Sequence, residues 1–236
     1  MNRLVKSIPN ALTSCNLLCG CIAIVRALHG DLEMATIAIM VAAIFDFLDG
    51  FAARLLDARS SIGLELDSLA DVVSFGVAPS AIFYYILSVT QKYISVEIPD
   101  IVPFAAFLIA VFSALRLAKF NIDKRQTESF IGLPTPACAI FACGLVYFDI
   151  FTATGYFVIL ALIATLCALL VCELPMFSLK LKKTESSLFI KKYGFQTVLT
   201  VCSLILLIII QLKALSLIVG LYVLLSVVKN QLTIDN

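Results

Sequence analysis

Long apolar runs with almost no charge inside them leave this chain few ways to fold. A helical run of about 20 residues matches the roughly 30 Å hydrocarbon core of a bilayer. Backbone polar groups in lipid must be satisfied within the structure itself, so each run has to be a helix or part of a closed barrel. Barrel strands alternate apolar with polar residues, and these runs are unbroken. Of 236 residues, 61% are hydrophobic and 14% charged, and mean hydropathy is +1.06. Soluble domains do not have this composition. The expected fold class is all-α, a polytopic membrane helical bundle.

The chain divides into eight expected helices. They cover Ala11–Leu28, Leu32–Leu56, Gly63–Val89, Ile101–Phe120, a fifth running from Pro134 and Pro136 to Phe148, Gly155–Val171, Thr197–Gln211 and Leu215–Val228. Residues 1–10 form a basic lead with an apolar side, expected to lie on the membrane surface. Pro9, Asn10 and Thr13 suit a helix start; Asn10, Thr13 and Asn16 equally suit a polar pocket. The chain is expected to be one integral membrane domain, 1–236. Residues 1–173 would form a six-helix core, 174–195 a basic surface loop on anionic lipid, and 196–230 a helical hairpin. The eight cysteines lie in or at the ends of apolar runs and have no metal-finger or C-x-x-C spacing, so they read as packing residues. The first run continues too far for a cleavable signal peptide.

With the N-terminus inside, 14 of the 17 Lys and Arg residues fall on the cytoplasmic side, leaving Arg26, Lys92 and Lys213 outside. Net charge is only +1, and no nucleic-acid partner is expected.

Against this apolar background stand Asp46, Asp49, Asp67 and Asp71. The first pair is three residues apart near the end of helix 2, the second four apart near the start of helix 3. Residues at these spacings share a helix face. Helix 2 is long enough, at about 37 Å, that its last turns reach the interface. Two helices joined by a short turn can therefore aim four carboxylates at one point. Such a cluster needs a cation, and oxygen-only donors suit Mg²⁺ or Mn²⁺, singly or as a pair. The topology puts the aspartates, the R-L-A-K-F-N end of helix 4 (116–121) and the G-L-P-T-P-A start of helix 5 (132–137) on the cytoplasmic face.

Written out, the stretch is Asp46-x2-Asp49-Gly50-x2-Ala53-Arg54-x8-Gly63-x3-Asp67-x3-Asp71. This pattern resembles the CDP-alcohol phosphotransferase family at every position. The resemblance covers at least residues 9–137 and implies that helices 1–6 form that family's catalytic core. It implies that a nucleophilic alcohol attacks the lipid-side phosphorus of a CDP-linked lipid, with CMP leaving. Asp46, Asp49 and Asp67 would chiefly hold metal, and Asp71 would be the catalytic base and a further metal contact. Asn10, Thr13, Gly50, Ala53, Arg54 and Gly63 would bind the nucleotide. Small residues at 50 and 53 let it approach the helix, and Arg54 can pair with phosphate or an aspartate.

Four further pieces, at Ser7–Gly20, Ser74–Pro79, Arg116–Asn121 and Phe130–Ala137, are similar to the phosphatidylserine synthase branch. That branch implies CDP-diacylglycerol and L-serine as substrates, a homodimer and a prokaryotic inner membrane with the site facing the cytoplasm. A serine carboxylate requires a cation, for which Arg116 is the candidate, with Asn121 and the region of Thr127 as neutral partners. Glycerol 3-phosphate or an inositol phosphate would call for more basic residues than the site region holds. A cation transporter would place its carboxylates at mid-bilayer and repeat them in an inverted half; helices 5–8 carry no echo of the aspartates.

Overall fold

The computed structural model describes residues 3–58, 60–95, 97–122, 130–176 and 189–234. It is an all-α bundle. Six stretches are long and apolar enough to cross a membrane: Ser7–Leu28, Leu32–Leu55, Ser61–Tyr93, Val102–Ile122, Ala153–Val171 and Phe195–Gln231, with a shorter apolar helix at Thr135–Leu145.

Helix α1 (Arg3–Leu28) turns at Gly30, whose φ of 83° suits glycine alone, into α2 (Leu32–Leu55). Asp31 caps α2 by accepting from the Met34 N–H. The expected surface lead is corrected here: residues 3–10 are the first turns of α1, and Pro9 lies inside the helix. Pro9 forfeits one backbone bond, but it sits in the first two turns, where few upstream carbonyls are lost. Helix α2 ends at Asp57, in the left-handed region at φ 45°, a conformation that aspartate tolerates better than most residues.

Ser60 then caps α3 (Ser61–Asp71) by accepting from the Gly63 N–H at 3.0 Å. The axis continues through a π-helical turn, Val72–Val77, into α4 (Ala78–Thr90). Pro79 explains the turn: it has no N–H, and its ring would crowd the carbonyl four residues back. The helix widens just upstream, and the Ala78 N–H bonds to the Val73 carbonyl, five residues back.

A 3-10 segment, Val102–Phe107, leads into α5 (Leu108–Ile122), so the expected fourth helix opens with tighter turns around Pro103. Helix α6 (Thr135–Leu145) starts at Pro134 and Pro136 as anticipated but stops short of Phe148. Helix α7 (Ala153–Val171) is capped by Thr152.

Segment 174–195 is not one loop. Strand β2 (Pro175–Met176) pairs antiparallel with β1 (Phe130–Ile131), and Met176 is buried. Gly132, at φ 75°, allows this pairing, because a Cβ there would lie 2.8 Å from the Leu170 carbonyl oxygen. Helix α8 (Phe189–Ile210) takes the end of the segment. Residues 177–188, which hold Lys180, Lys182 and Lys183, lie outside the described residues, as do Arg59 and Thr127. Helix α9 (Ala214–Ile234) comes after a 3-10 turn at Gln211–Lys213. It packs on α6, where the Ser216 hydroxyl donates to the Phe141 carbonyl at 2.8 Å.

The core centres on the π turn and α4, with Phe75 of the turn and Phe83, Ile86 and Leu87 of α4 fully buried, and α4 packs against α1, α6 and α7. Helix α1 meets the π turn at Gly20, where an added Cβ would be 2.8 Å from Ser74 Cα. Gly20→Ala is therefore expected to cost about 1–3 kcal/mol by overpacking. A fall in thermal unfolding midpoint in detergent would register it, and an unchanged midpoint would contradict the close contact.

Candidate active site

The bundle end holding the four aspartates is built on one stripe of α1. Asn10, Thr13 and Asn16 recur every three residues and so share a face. The Thr13 hydroxyl donates to Asp49 Oδ2 at 2.6 Å across the α1–α2 hairpin. Asn16 Nδ2 donates to Asp71 Oδ1 at 3.4 Å, and the Asn16 carbonyl accepts from the Ser74 hydroxyl at 3.0 Å. Asn10 Oδ1 would lie 3.0 Å from a Cβ at Gly63. Only a residue without a side chain fits that crossing comfortably.

Asp46, Asp49 and Asp67 each offer a carboxylate oxygen, and these oxygens lie within 4.8 Å of one another. Asp71 is outside that group. It sits one turn on from Asp67, 9% exposed, within electrostatic range of Asp46 and Asp67. Among the described residues no Lys, Arg or His pairs with any of the four; the ion pair present there is Arg26–Asp31, at the far end of α1. Asp67 Oδ1 is buried without a hydrogen-bond partner. Three converging carboxylates, one with an orphaned oxygen, and no protein cation suit a hard divalent ion bound through oxygen.

Beside this cluster lies a cavity of about 800 Å³. Asn10, Thr13, Gly50, Ala53, Arg54 and Gly63 all line it, together with Asp49, Asp67 and Phe120. The six positions expected to contact a nucleotide thus share one cavity whose wall includes two of the acids. Gly50 faces open space, since an added Cβ would meet nothing within 4 Å.

The family model for CDP-alcohol phosphatidyltransferases matches residues 6–170. The chain belongs to the CDP-alcohol phosphatidyltransferase family. A relative in Helicobacter pylori, named CDP-diacylglycerol–serine O-phosphatidyltransferase, is 33% identical over 94% of this chain and 90% of its own length. A Bacillus subtilis relative of the same name is 40% identical over 55% of this chain and 69% of its own length. An archaeal relative from Methanothermobacter thermautotrophicus, named archaetidylserine synthase, is 36% identical over 57% of this chain and 55% of its own. The family match spans α1–α7, the elements that build the aspartate cluster and the cavity.

The two positions considered for serine part company. Arg116 of α5 is 7% exposed, with Asp71 of α3, Tyr222 of α9 and Cys138 of α6 in electrostatic range. Asn121 is exposed, and its Nδ2 donates to the Ser68 hydroxyl at 2.9 Å, committing it to α3. Asn16 and Tyr222 also belong to this neighbourhood, although the motif includes neither. The three-residue step from Asn10 through Thr13 was the available sign of Asn16; nothing in the sequence marks Tyr222.

Thr13 supplies an orienting bond to Asp49 from outside the carboxylate cluster. Removing such a bond commonly weakens metal binding about 10–100-fold. Thr13→Val is expected to weaken Mn²⁺ binding, read by electron paramagnetic resonance, by about tenfold or more. Unchanged affinity would mean that Asp49 does not depend on Thr13.

Proposed function

We propose that this protein transfers the phosphatidyl group of CDP-diacylglycerol to L-serine, giving phosphatidylserine and CMP. The observation that carries the choice of serine is Arg116, a buried guanidinium within electrostatic range of Asp71, whose charge suits a carboxylate. The names borne by its relatives point the same way. Glycerol 3-phosphate or an inositol phosphate would bring a second phosphate. Arg116 is the one buried cation among the described residues, and it suits one carboxylate better than a dianion.

The nucleotide occupies the cavity, with Arg54 toward phosphate and Gly50 and Ala53 allowing close approach to α2. Asp46, Asp49 and Asp67 hold Mg²⁺ or Mn²⁺; a pair of ions would draw on Asp71 as well. Held by these carboxylates, such an ion would supply positive charge to offset the negative charge developing on the phosphoryl oxygens. Asp71 accepts the proton of the serine hydroxyl. The serine oxygen bonds to the lipid-side phosphorus, and the bridging oxygen leaves with CMP. The exposed apolar side chains of α2, Phe47, Phe51 and Leu55 among them, let acyl chains pass sideways into lipid.

The bacterial relatives favour the inner membrane of a prokaryote, and the Lys and Arg bias favours a site facing the cytoplasm. Residues 1–173 serve as the catalytic core and 196–230 as an added hairpin, in a protein that works as a homodimer.

Purified protein in nanodiscs containing CDP-diacylglycerol tests the reading. CMP release is expected with L-serine, but not with glycerol 3-phosphate or an inositol phosphate, and only when Mg²⁺ or Mn²⁺ replaces EDTA. Release with another acceptor would discard serine and keep the chemistry. Asp71→Asn is expected to lower turnover by about 10²–10⁴-fold while sparing CDP-lipid binding. Loss of that binding as well would make Asp71 chiefly a metal ligand.

A further inference from the structure

Two buried polar atoms beside Asp71 lack partners, and they are of opposite kinds. Asn16 is fully buried, and its Oδ1 accepts nothing. Its Nδ2 already donates to Asp71 Oδ1, which fixes the amide with the oxygen turned away. On the α5 side, Arg116 Nε is buried and donates to nothing. Arg116 is within electrostatic range of Asp71 and forms no ion pair with it. A buried acceptor and a buried donor left unsatisfied each cost about 1–3 kcal/mol. A ligand that carries both a donor and an acceptor would complete the two together.

We infer that Asn16 is the ammonium-recognising residue of the acceptor pocket, and that Asn16, Asp71 and Arg116 hold an α-amino acid at three points. The inference rests on the serine reading and deepens it. The Asn16 amide oxygen accepts from the ammonium, Asp71 faces the hydroxyl and the Arg116 guanidinium takes the carboxylate. Three different groups on one carbon skeleton, each held by a different helix, define handedness as well as composition. Asn16 comes from α1, Asp71 from α3 and Arg116 from α5. Neighbouring contacts limit their freedom, since Ser74 fixes the Asn16 backbone and Gly76 brings the π turn against Ser113, one turn before Arg116.

The test is direct binding by calorimetry to the full chain in nanodiscs, which needs no turnover. L-serine, D-serine and 3-hydroxypropionate, which lacks the amine, are compared, with CMP as the control ligand. Wild type is expected to prefer L-serine over both analogues by about tenfold or more. Asn16→Ala should weaken L-serine by a similar factor, leave 3-hydroxypropionate nearly unchanged and collapse the L/D preference, with CMP affinity within about twofold. Arg116→Ala should weaken L-serine and 3-hydroxypropionate alike. A role for Asn16 confined to holding Asp71 would weaken all three acceptors equally, and that pattern would overturn the inference. Undiminished L-serine binding by Asn16→Ala would do the same. If Asn16→Ala also loses CMP, Asn16→Leu, which fills a similar volume without an accepting oxygen, carries the same comparison; loss of the L/D preference there with CMP retained supports the inference, and an intact preference or loss of every ligand overturns it. If wild type ignores L-serine but binds glycerol 3-phosphate, the serine reading falls with the inference. If L-serine binds and only the Asn16 pattern fails, the serine reading stands alone.

Discussion

A carboxylate at the end of an apolar helix loses much of its hydration, and the loss costs several kcal/mol unless something cationic or hydrogen-bonding replaces it. Four such groups from two helices compound the problem, because each also repels the others. Among the described residues the protein supplies no cation to the three that converge. Instead it supplies neutral donors from α1, namely Thr13 to Asp49 and Asn16 to Asp71. A hydroxyl and an amide orient the carboxylates without neutralising them, so the charge remains to attract a metal ion. A lysine in either place would satisfy the acids and abolish the site. The same requirement explains why α1 packs against both acid-bearing helices.

The π turn extends this logic along the third span. Helix α3 carries Asp67 and Asp71 on one face, and the turn begins at the next residue, Val72. A wider turn rotates the downstream residues relative to their positions on a regular helix. Ser74 then meets α1 at the Asn16 carbonyl, while Gly76 meets α5 at Ser113. Pro79 forces the irregularity, and the packing of α1 and α5 uses it. A straight helix would carry the same residues with a different set of neighbours.

Much of this end of the molecule was legible because it depends on spacing. The i,i+3 and i,i+4 intervals placed the acids on common faces, and the six expected nucleotide contacts line one cavity. The features that escaped depend on tertiary choice. Pro9 read as a helix start, yet α1 begins at Arg3, since proline is tolerated in the first turns as well as at the first position. The β1–β2 pair is two residues long on each side and carries no periodicity to read. Asn121 and Asn16 have the same side chain, and only packing decides that one bonds Ser68 at the surface while the other is buried against Asp71.

The site has two halves that differ in how far their residues are dictated by chemistry. Phosphoryl transfer from a CDP-linked lipid asks for the same carboxylates, the same small residues and the same nucleotide cavity whatever alcohol attacks. That half is held by α1, α2 and α3. The surroundings of Arg116 include Asp71 of α3, Tyr222 of α9 and Cys138 of α6, and α9 lies beyond the stretch that the family model matches. Helix α9 is seated there by its own contacts: Ser216 bonds the Phe141 carbonyl, and a Cβ on Gly144 would collide with the Ser216 backbone nitrogen. So close an approach fixes α9 in register against α6 and brings Tyr222, two turns on from Ser216, toward Arg116. On this arrangement α9 does more than span lipid: packed on α6, it brings a tyrosine into electrostatic range of the buried Arg116.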